Sequence, residues 1–143
     1  MEYIVNAHLK RFNLLTSEIN AAYHDAALKM GLSDSAFHIL YTLCWCDGEC
    51  PLSDITTGAS KQTINSALRK LEAENIVRLE TYQGRKKKVS LTDAGYALAK
   101  NTILPLIAIE NGIFGSWSDE EKNLYIELTR QYLSVFTEKI KEL

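Results

Sequence analysis

The chain has 143 residues, 46% hydrophobic and 24% charged, with a formal net charge of −2. That length suits one compact domain, alone or with helical extensions. No run approaches the roughly 18 consecutive apolar residues of a membrane span, and MEYIVNAHLKRF at the N-terminus has early acid and no signal-peptide architecture, so a cytoplasmic protein is the plain reading.

The first thirty residues read as one long helix. Val5, Phe12, Leu15, Ile19, Ala22 and Ala26 keep a three-and-four spacing, and Gly31 supplies the stop. A helix this long cannot bury its stripe against a small domain alone, which suggests a partner chain. Ser33 offers N-cap chemistry to a second helix with an inward stripe of Ala36, Phe37, Leu40, Leu43 and Cys44, ended by Asp47-Gly48. Pro51 to Ile55 then predicts a very short helix, broken around Thr57-Gly58.

Ser60 caps the next helix, SKQTINSALRKLE, whose Ile64, Ala67, Leu68 and Leu71 form one buried stripe. Opposite that stripe lie Gln62, Ser66 and Arg69, flanked by Asn65 and Lys70. A solvated helical face usually alternates Glu with Lys in i, i+4 pairs. This one presents amide, hydroxyl and guanidinium groups, and its acids come only late, at Glu72 and Glu74. Two helices joined by a short turn at Gly58 make a helix-turn-helix.

Beyond Asn75 the period changes to two: Val77, Leu79 and Thr81 alternate with Arg78, Glu80 and Tyr82, and Val89 and Leu91 with Lys88 and Ser90. Alternation on both sides of Gln83-Gly84 predicts a β-hairpin. Its tip and returning strand carry Arg85, Lys86, Lys87 and Lys88, so it reads as the basic wing of a winged helix, spanning residues 82–90. Residues 60–88 hold eight basic side chains against three acidic ones, a local +5 that leaves −7 on the remainder. Thr92 caps a further helix from Asp93 towards Asn111, kinked by Pro105 near Asn101, with a loop from Asn111-Gly112. Ser118 to Glu121 is a capping box for a last helix carrying Leu124, Leu128, Tyr132, Val135, Phe136 and Ile140.

Phe37-x-x-Leu40-x-x-Leu43, the helix opening Ser60-Lys61-Gln62-Thr63-Ile64-Asn65, its closing Leu68-x-x-Leu71-Glu72, and Leu91-Thr92-Asp93-Ala94-Gly95 follow one another in an order that resembles the MarR family of winged helix-turn-helix regulators. The similarity covers essentially the whole chain. It implies a mainly α fold with a small β-hairpin wing, in which a DNA-binding lobe at residues 33–92 is flanked by helical dimerisation regions at 1–30 and 93–143. It also implies a homodimer on pseudopalindromic double-stranded DNA, acting most often as a repressor, with a small apolar or aromatic effector as the input. The chain departs from the family in holding Gln83 two residues before Arg85, where many members have Asp, and in a short first helix around Leu52 to Thr57.

The residues assigned to DNA are Ser60, Lys61, Gln62, Thr63, Asn65, Ser66, Arg69 and Lys70 on the recognition helix, residues 60–74, and Arg85, Lys86, Lys87 and Lys88 on the wing. Gln62 has the geometry for bidentate adenine contact, and Arg69 for guanine or phosphate. Lys61 and the hydroxyls of Ser60 and Thr63 at the helix start suit a phosphate. The wing cations add salt-dependent affinity.

Three other features admit more than one use. Cys44, Cys46 and Cys50 have the make-up of a soft-metal or oxidant sensor, although Cys44 on the core stripe behaves as a small hydrophobe and no Lys or Arg lies near these thiols in sequence. His8, on the inner side of the first helix near Phe12, either lines a ligand pocket between dimer arms or, the commoner use, is a satisfied interface histidine. Trp45, Trp117, Tyr41, Tyr96 and Phe114 frame either a pocket for an aromatic effector or ordinary core, the commoner use of such spacings. A winged helix that binds protein is the remaining alternative. No Walker loop, GxSxG or HExxH occurs, so no enzymatic activity, cofactor or assigned metal is expected.

Overall fold

The structure, a computed structural model, describes residues 6–55 and 61–143. Val5, the break at Thr57-Gly58 and the Ser60 cap lie outside the described residues. The chain divides into two units, Met1–Leu104 and Pro105–Leu143.

In the first unit, α1 (Ala7–Lys29) is capped by Asn6, whose side chain accepts from the amides of His8 and Leu9. It ends as Gly31 predicted: with φ 72° there, Leu32 N–H donates to Ala27 O and Gly31 N–H to Leu28 O, the paired bonds of a Schellman stop. Helix α2 (Asp34–Trp45) starts at the Ser33 cap and ends in the same motif, with Asp47 at φ 56° and Gly48 N–H donating to Leu43 O. Its inward stripe differs from the expected one. Ile39, Leu40 and Leu43 are fully buried, while Ala36, Phe37 and Cys44 are half-buried. Phe37, Tyr41 and Trp45 instead form an aromatic ladder at four-residue spacing, joined by Tyr23 of α1.

Glu49–Pro51 form a strand, β1, which the sequence reading missed because three residues carry no readable alternation. Pro51 therefore closes β1 instead of opening a helix, and α3 spans only Leu52–Ile55. His38 Nε2–H reaches across from α2 to donate to Ile55 O at 2.9 Å, satisfying one of the carbonyls that so short a helix leaves unpaired. Helix α4 (Lys61–Ala73) buries Ile64, Leu68 and Leu71, with Ala67 half-buried. Asn75 at φ 60° terminates it through Ile76 N–H to Leu71 O.

The hairpin is β2 (Val77–Tyr82) and β3 (Lys86–Leu91), antiparallel from Val77↔Leu91 to Tyr82↔Lys86. Strand β1 pairs with the other side of β3, so the sheet order is β1-β3-β2 with β3 in the centre. That position explains why Ser90, expected on an outer polar face, is buried: Glu49 and Arg78 flank it in register on either side. Val89 and Leu91 are buried, as are Val77, which pairs with Leu91 in register, and Ile64 and Leu68 of α4.

Thr92 clasps the hairpin to the next helix, α5 (Asp93–Asn101). Its hydroxyl donates to Asn75 O at 2.6 Å and accepts from Gly95 N–H at 3.0 Å. Gly95 is required there, since a Cβ would collide with the carbonyl oxygen of Ile76. Thr102, at φ −125° and ψ −72°, separates α5 from α6 (Ile103–Gly115). The break lies where Pro105 denies Asn101 O its i+4 donor.

The boundary between the units falls in the first turn of α6. The loop expected from Asn111-Gly112 is instead helix: α6 runs through both residues to Gly115. A mid-helix glycine costs only about 1 kcal/mol relative to alanine, too little to end an otherwise regular helix. Ser116 to Ser118 make the real turn. The capping box forms as predicted, with Glu121 N–H donating to Ser118 Oγ at 3.1 Å and Ser118 N–H to Glu121 Oε1 at 2.8 Å. It opens α7 (Asp119–Lys139), which ends in a short 3-10 turn, Ile140–Glu142. Phe114, Trp117 and Tyr125 cluster around this turn with centroids 4.8–6.0 Å apart.

Candidate nucleic-acid interface

Packing of Ile64, Leu68 and Leu71 against the lobe leaves the opposite side of α4 outward, with Lys61, Gln62, Thr63, Ser66, Arg69 and Lys70 exposed and Asn65 half-buried. No acid occupies the first turn of α4, so its positive dipole end is not offset locally. The wing stands beside this helix. Between them runs an open groove of about 910 Å³, walled by Lys61, Asn65 and Arg69 on one side and by Tyr82, Arg85, Lys86 and Lys87 on the other. Pro51, Leu52, Ser53, Leu68 and Leu79 form its apolar and hydroxyl parts. Five cationic side chains line it against one carboxylate, Glu72, the charge balance that a phosphodiester backbone requires.

The hairpin tip depends on two residues in the left-handed region, Gln83 at φ 45° and Gly84 at φ 79°. They turn the chain within three residues and leave Arg85, Lys86 and Lys87 exposed. Lys88 is placed differently. Its ammonium lies 2.9 Å from Glu49 Oε1 and 4.0 Å from Glu80 Oε2, on the same face of the sheet as Ser90. Hydrogen bonding to Lys88, then its charge and a bond from Ser90, holds the Glu49 carboxyl below its ordinary range, and Glu49 in turn raises Lys88.

The structure thus gathers Lys61, Asn65, Arg69, Arg85, Lys86 and Lys87 around one groove. Gln62, Thr63, Ser66 and Lys70 lie on the exposed surface of α4 outside it, Lys88 is turned to Glu49, and Ser60 is outside the described residues. Sequence reasoning missed Tyr82 and the segment Pro51 to Ser53 as groove walls. Tyr82 had a legible signal, an aromatic three residues before Arg85 at a hairpin tip. The contribution of Pro51 to Ser53 comes from β1 pairing with β3, which no local pattern announces.

Elsewhere in the lobe, polar side chains are engaged in structural contacts. Tyr96 Oη donates to Asp47 O at 3.3 Å and covers Gly48. His24 Nδ1 meets the Asp34 carboxylate at 2.8 Å, which raises the imidazole above its ordinary value. Among the described residues, no three His, Cys, Asp or Glu are grouped to hold a metal ion.

No protein-family model matches the chain, and no curated protein matches it by sequence. Solved structures do. The chain is similar to a MarR family regulator from Neisseria meningitidis, with a TM-score of 0.82 and 20% identity, covering 96% of this chain and 99% of that one. A DNA complex of MepR from S. aureus matches at TM-score 0.64 and 20% identity, over 87% and 93% of the two chains. BpsR from Bordetella bronchiseptica, whose DNA binding is regulated by 6-hydroxynicotinic acid, matches at 0.61 and 21%, over 91% and 97%. The fold is that of the MarR family of winged-helix transcriptional regulators.

Proposed function

We propose that the protein is a sequence-specific DNA-binding transcriptional regulator of the MarR type. The observation that carries this reading is the groove between α4 and the wing, where five cations face one carboxylate beside a helix face of amide and hydroxyl groups. In this reading α4 enters the major groove, with Gln62, Asn65 and Ser66 against base edges, while Arg85, Lys86 and Lys87 follow adjacent backbone or minor groove.

The working unit is a homodimer. Two lines support this: Leu124, Leu128, Tyr132, Val135 and Phe136 of α7 are all about half-exposed or more, and on α1 Phe12, Leu15 and Ile19 are too. Apolar surface on this scale marks an interaction face. Two recognition helices about 34–36 Å apart match successive major grooves of a pseudopalindrome. Repression relieved by a small apolar or aromatic effector follows by analogy with the ligand-regulated neighbour, through a shift between DNA-competent and incompetent dimers. No helix among the described residues is long and apolar enough to cross a membrane, consistent with a regulator acting on DNA in the cytoplasm.

Fluorescence anisotropy on a duplex from upstream of the protein's own gene, against a scrambled duplex and over a salt series, tests the reading. A DNA regulator prefers the upstream duplex and weakens steeply with salt. Equal, weak, salt-insensitive binding to both duplexes, also with other genomic fragments, sinks it.

A further inference from the structure

The five cations of the groove stand on facing walls, Lys61 and Arg69 on α4 and Arg85, Lys86 and Lys87 on the hairpin. Among the described residues, none of the five takes part in an ion pair, and Glu72, the one carboxylate in the lining, pairs with none of them. Like charges facing one another across a gap repel, so an anion between the walls stabilises the arrangement. Tyr82 stands on the hairpin wall, across the ladder from Lys86 and half-buried, and its hydroxyl makes no hydrogen bond among the described residues.

Position along α4 separates its polar side chains further. Gln62 and Ser66 come in the first half of the helix and are exposed outside the groove, whereas Arg69 comes in the second half and lines it. A recognition helix reaches base edges mainly with its N-terminal residues. Arg69 is about 12 Å further along the axis than Lys61. With a helix in the major groove and a wing on the neighbouring minor groove, what lies between the two is the backbone that separates those grooves.

We propose that one sugar-phosphate strand of duplex DNA crosses the groove, that Arg69 binds its phosphate and does not read guanine, and that Tyr82 donates its hydroxyl to the same strand from the opposite wall. Both assignments rest on the reading of the groove as a DNA interface. They choose between the two uses open to Arg69 and add Tyr82, which belongs to neither the polar face of α4 nor the basic run. Glu72 is one turn beyond Arg69 on the same wall, where its carboxylate repels phosphate and turns the strand out of the groove.

Anisotropy on the duplex from upstream of the protein's own gene and on its scrambled counterpart, over a salt series, separates the two uses of Arg69. As a phosphate contact, Arg69→Gln should weaken both duplexes by the same factor, about fivefold at roughly 0.15 M salt, and lower the slope of log affinity against log salt by about one. The preference between the duplexes should not change. Arg69→Lys should restore most of the loss, because a point charge serves a phosphate but not the paired acceptors of guanine. Tyr82→Phe should weaken both duplexes alike with an unchanged slope, since it removes a donor and no charge. Glu72→Gln should tighten both, and Gln62→Ala should narrow the preference. If Arg69→Gln loses the preference for the upstream duplex and Arg69→Lys does not restore it, Arg69 reads a base; the assignment is then overturned while DNA binding stands. Wild-type affinity in Arg69→Gln or in Tyr82→Phe takes the strand off that residue and overturns the grip across the groove. Wild-type protein that binds neither duplex at low salt defeats the DNA reading and this inference together.

Discussion

Lys88 Nζ lies 2.9 Å from Glu49 Oε1, so the last cation of the Arg85–Lys88 run is held by a neighbouring strand while the other three are exposed. The two residues come together because β1 and β2 flank β3, setting Pro51 and Glu80 beside Lys88 in register. The wing therefore carries three exposed charges, although its sequence displays four.

If the wing binds DNA as proposed, that division is measurable in the salt dependence of binding. Lys86→Gln and Lys87→Gln should each lower the slope of log affinity against log salt by about one. Lys88→Gln should change it little, and Glu49→Gln should steepen it by freeing Lys88. A Lys88→Gln effect equal to that of Lys87→Gln would mean that the ion pair opens on DNA.

The same pair sets a pH dependence. Glu49 has its carboxyl depressed, chiefly by the Lys88 hydrogen bond. Its contribution is accordingly present above the ordinary glutamate value and is lost as pH falls through the depressed one. In acid titrations followed by wing-specific NMR shifts, wild-type protein and Glu49→Gln should differ at neutral pH and converge only below the ordinary glutamate range. Curves that converge at or above that range would contradict the assignment.

Thr92 and Gly95 hold the wing to α5. Thr92→Val removes a buried hydroxyl that both caps α5 and satisfies Asn75 O, a loss of about 2 kcal/mol. Thr92→Ser should recover most of it. Gly95→Ala drives a methyl group towards Ile76 O and should cost about 1–3 kcal/mol. Urea unfolding of each variant checks these values, and a neutral Gly95→Ala would show that α5 shifts freely.

At the wing tip, Gln83 occupies φ 45°, a region that asparagine enters at lower cost. Gln83→Asn should stabilise the hairpin by a few tenths to about 1 kcal/mol. It should leave the salt slope unchanged, because the three exposed cations remain. The midpoint of urea unfolding reads the first effect and anisotropy the second.

If α7 carries the dimer contact, Leu128→Asp combined with Phe136→Asp should yield a species with half the mass by sedimentation equilibrium, or an unfolded chain. Both side chains are about half-exposed in the single chain, so neither substitution should disturb its own helix. A folded double variant that stays dimeric would place the contact elsewhere.

Most of the helices were legible in the sequence because their signals are local. Gly31, Ser33, Asn75, the Thr92 cap on Gly95 and the Ser118 box each act through hydrogen bonds to residues within five positions. Asn111-Gly112 misled for the same reason: a turn-like dipeptide suggests a loop, yet one glycine costs a helix little. The exposed face of α4 was legible too, since Gln62, Ser66 and Arg69 follow from the spacing of Ile64, Leu68 and Leu71.

By itself, the sequence determined the order of the elements, the inward stripe of α4 and the concentration of positive charge at residues 60–88. Only the tertiary structure decided which charges remain available. Strand β1 is three residues long, too short to show a period, and its pairing with β3 joins residues thirty-seven to forty-one positions apart in sequence. That pairing turns Lys88 to Glu49, covers Ser90 and places Pro51 to Ser53 in the groove wall. Local periodicity reports which face of an element is apolar, but the partners of its polar face are chosen by chain segments that periodicity does not connect.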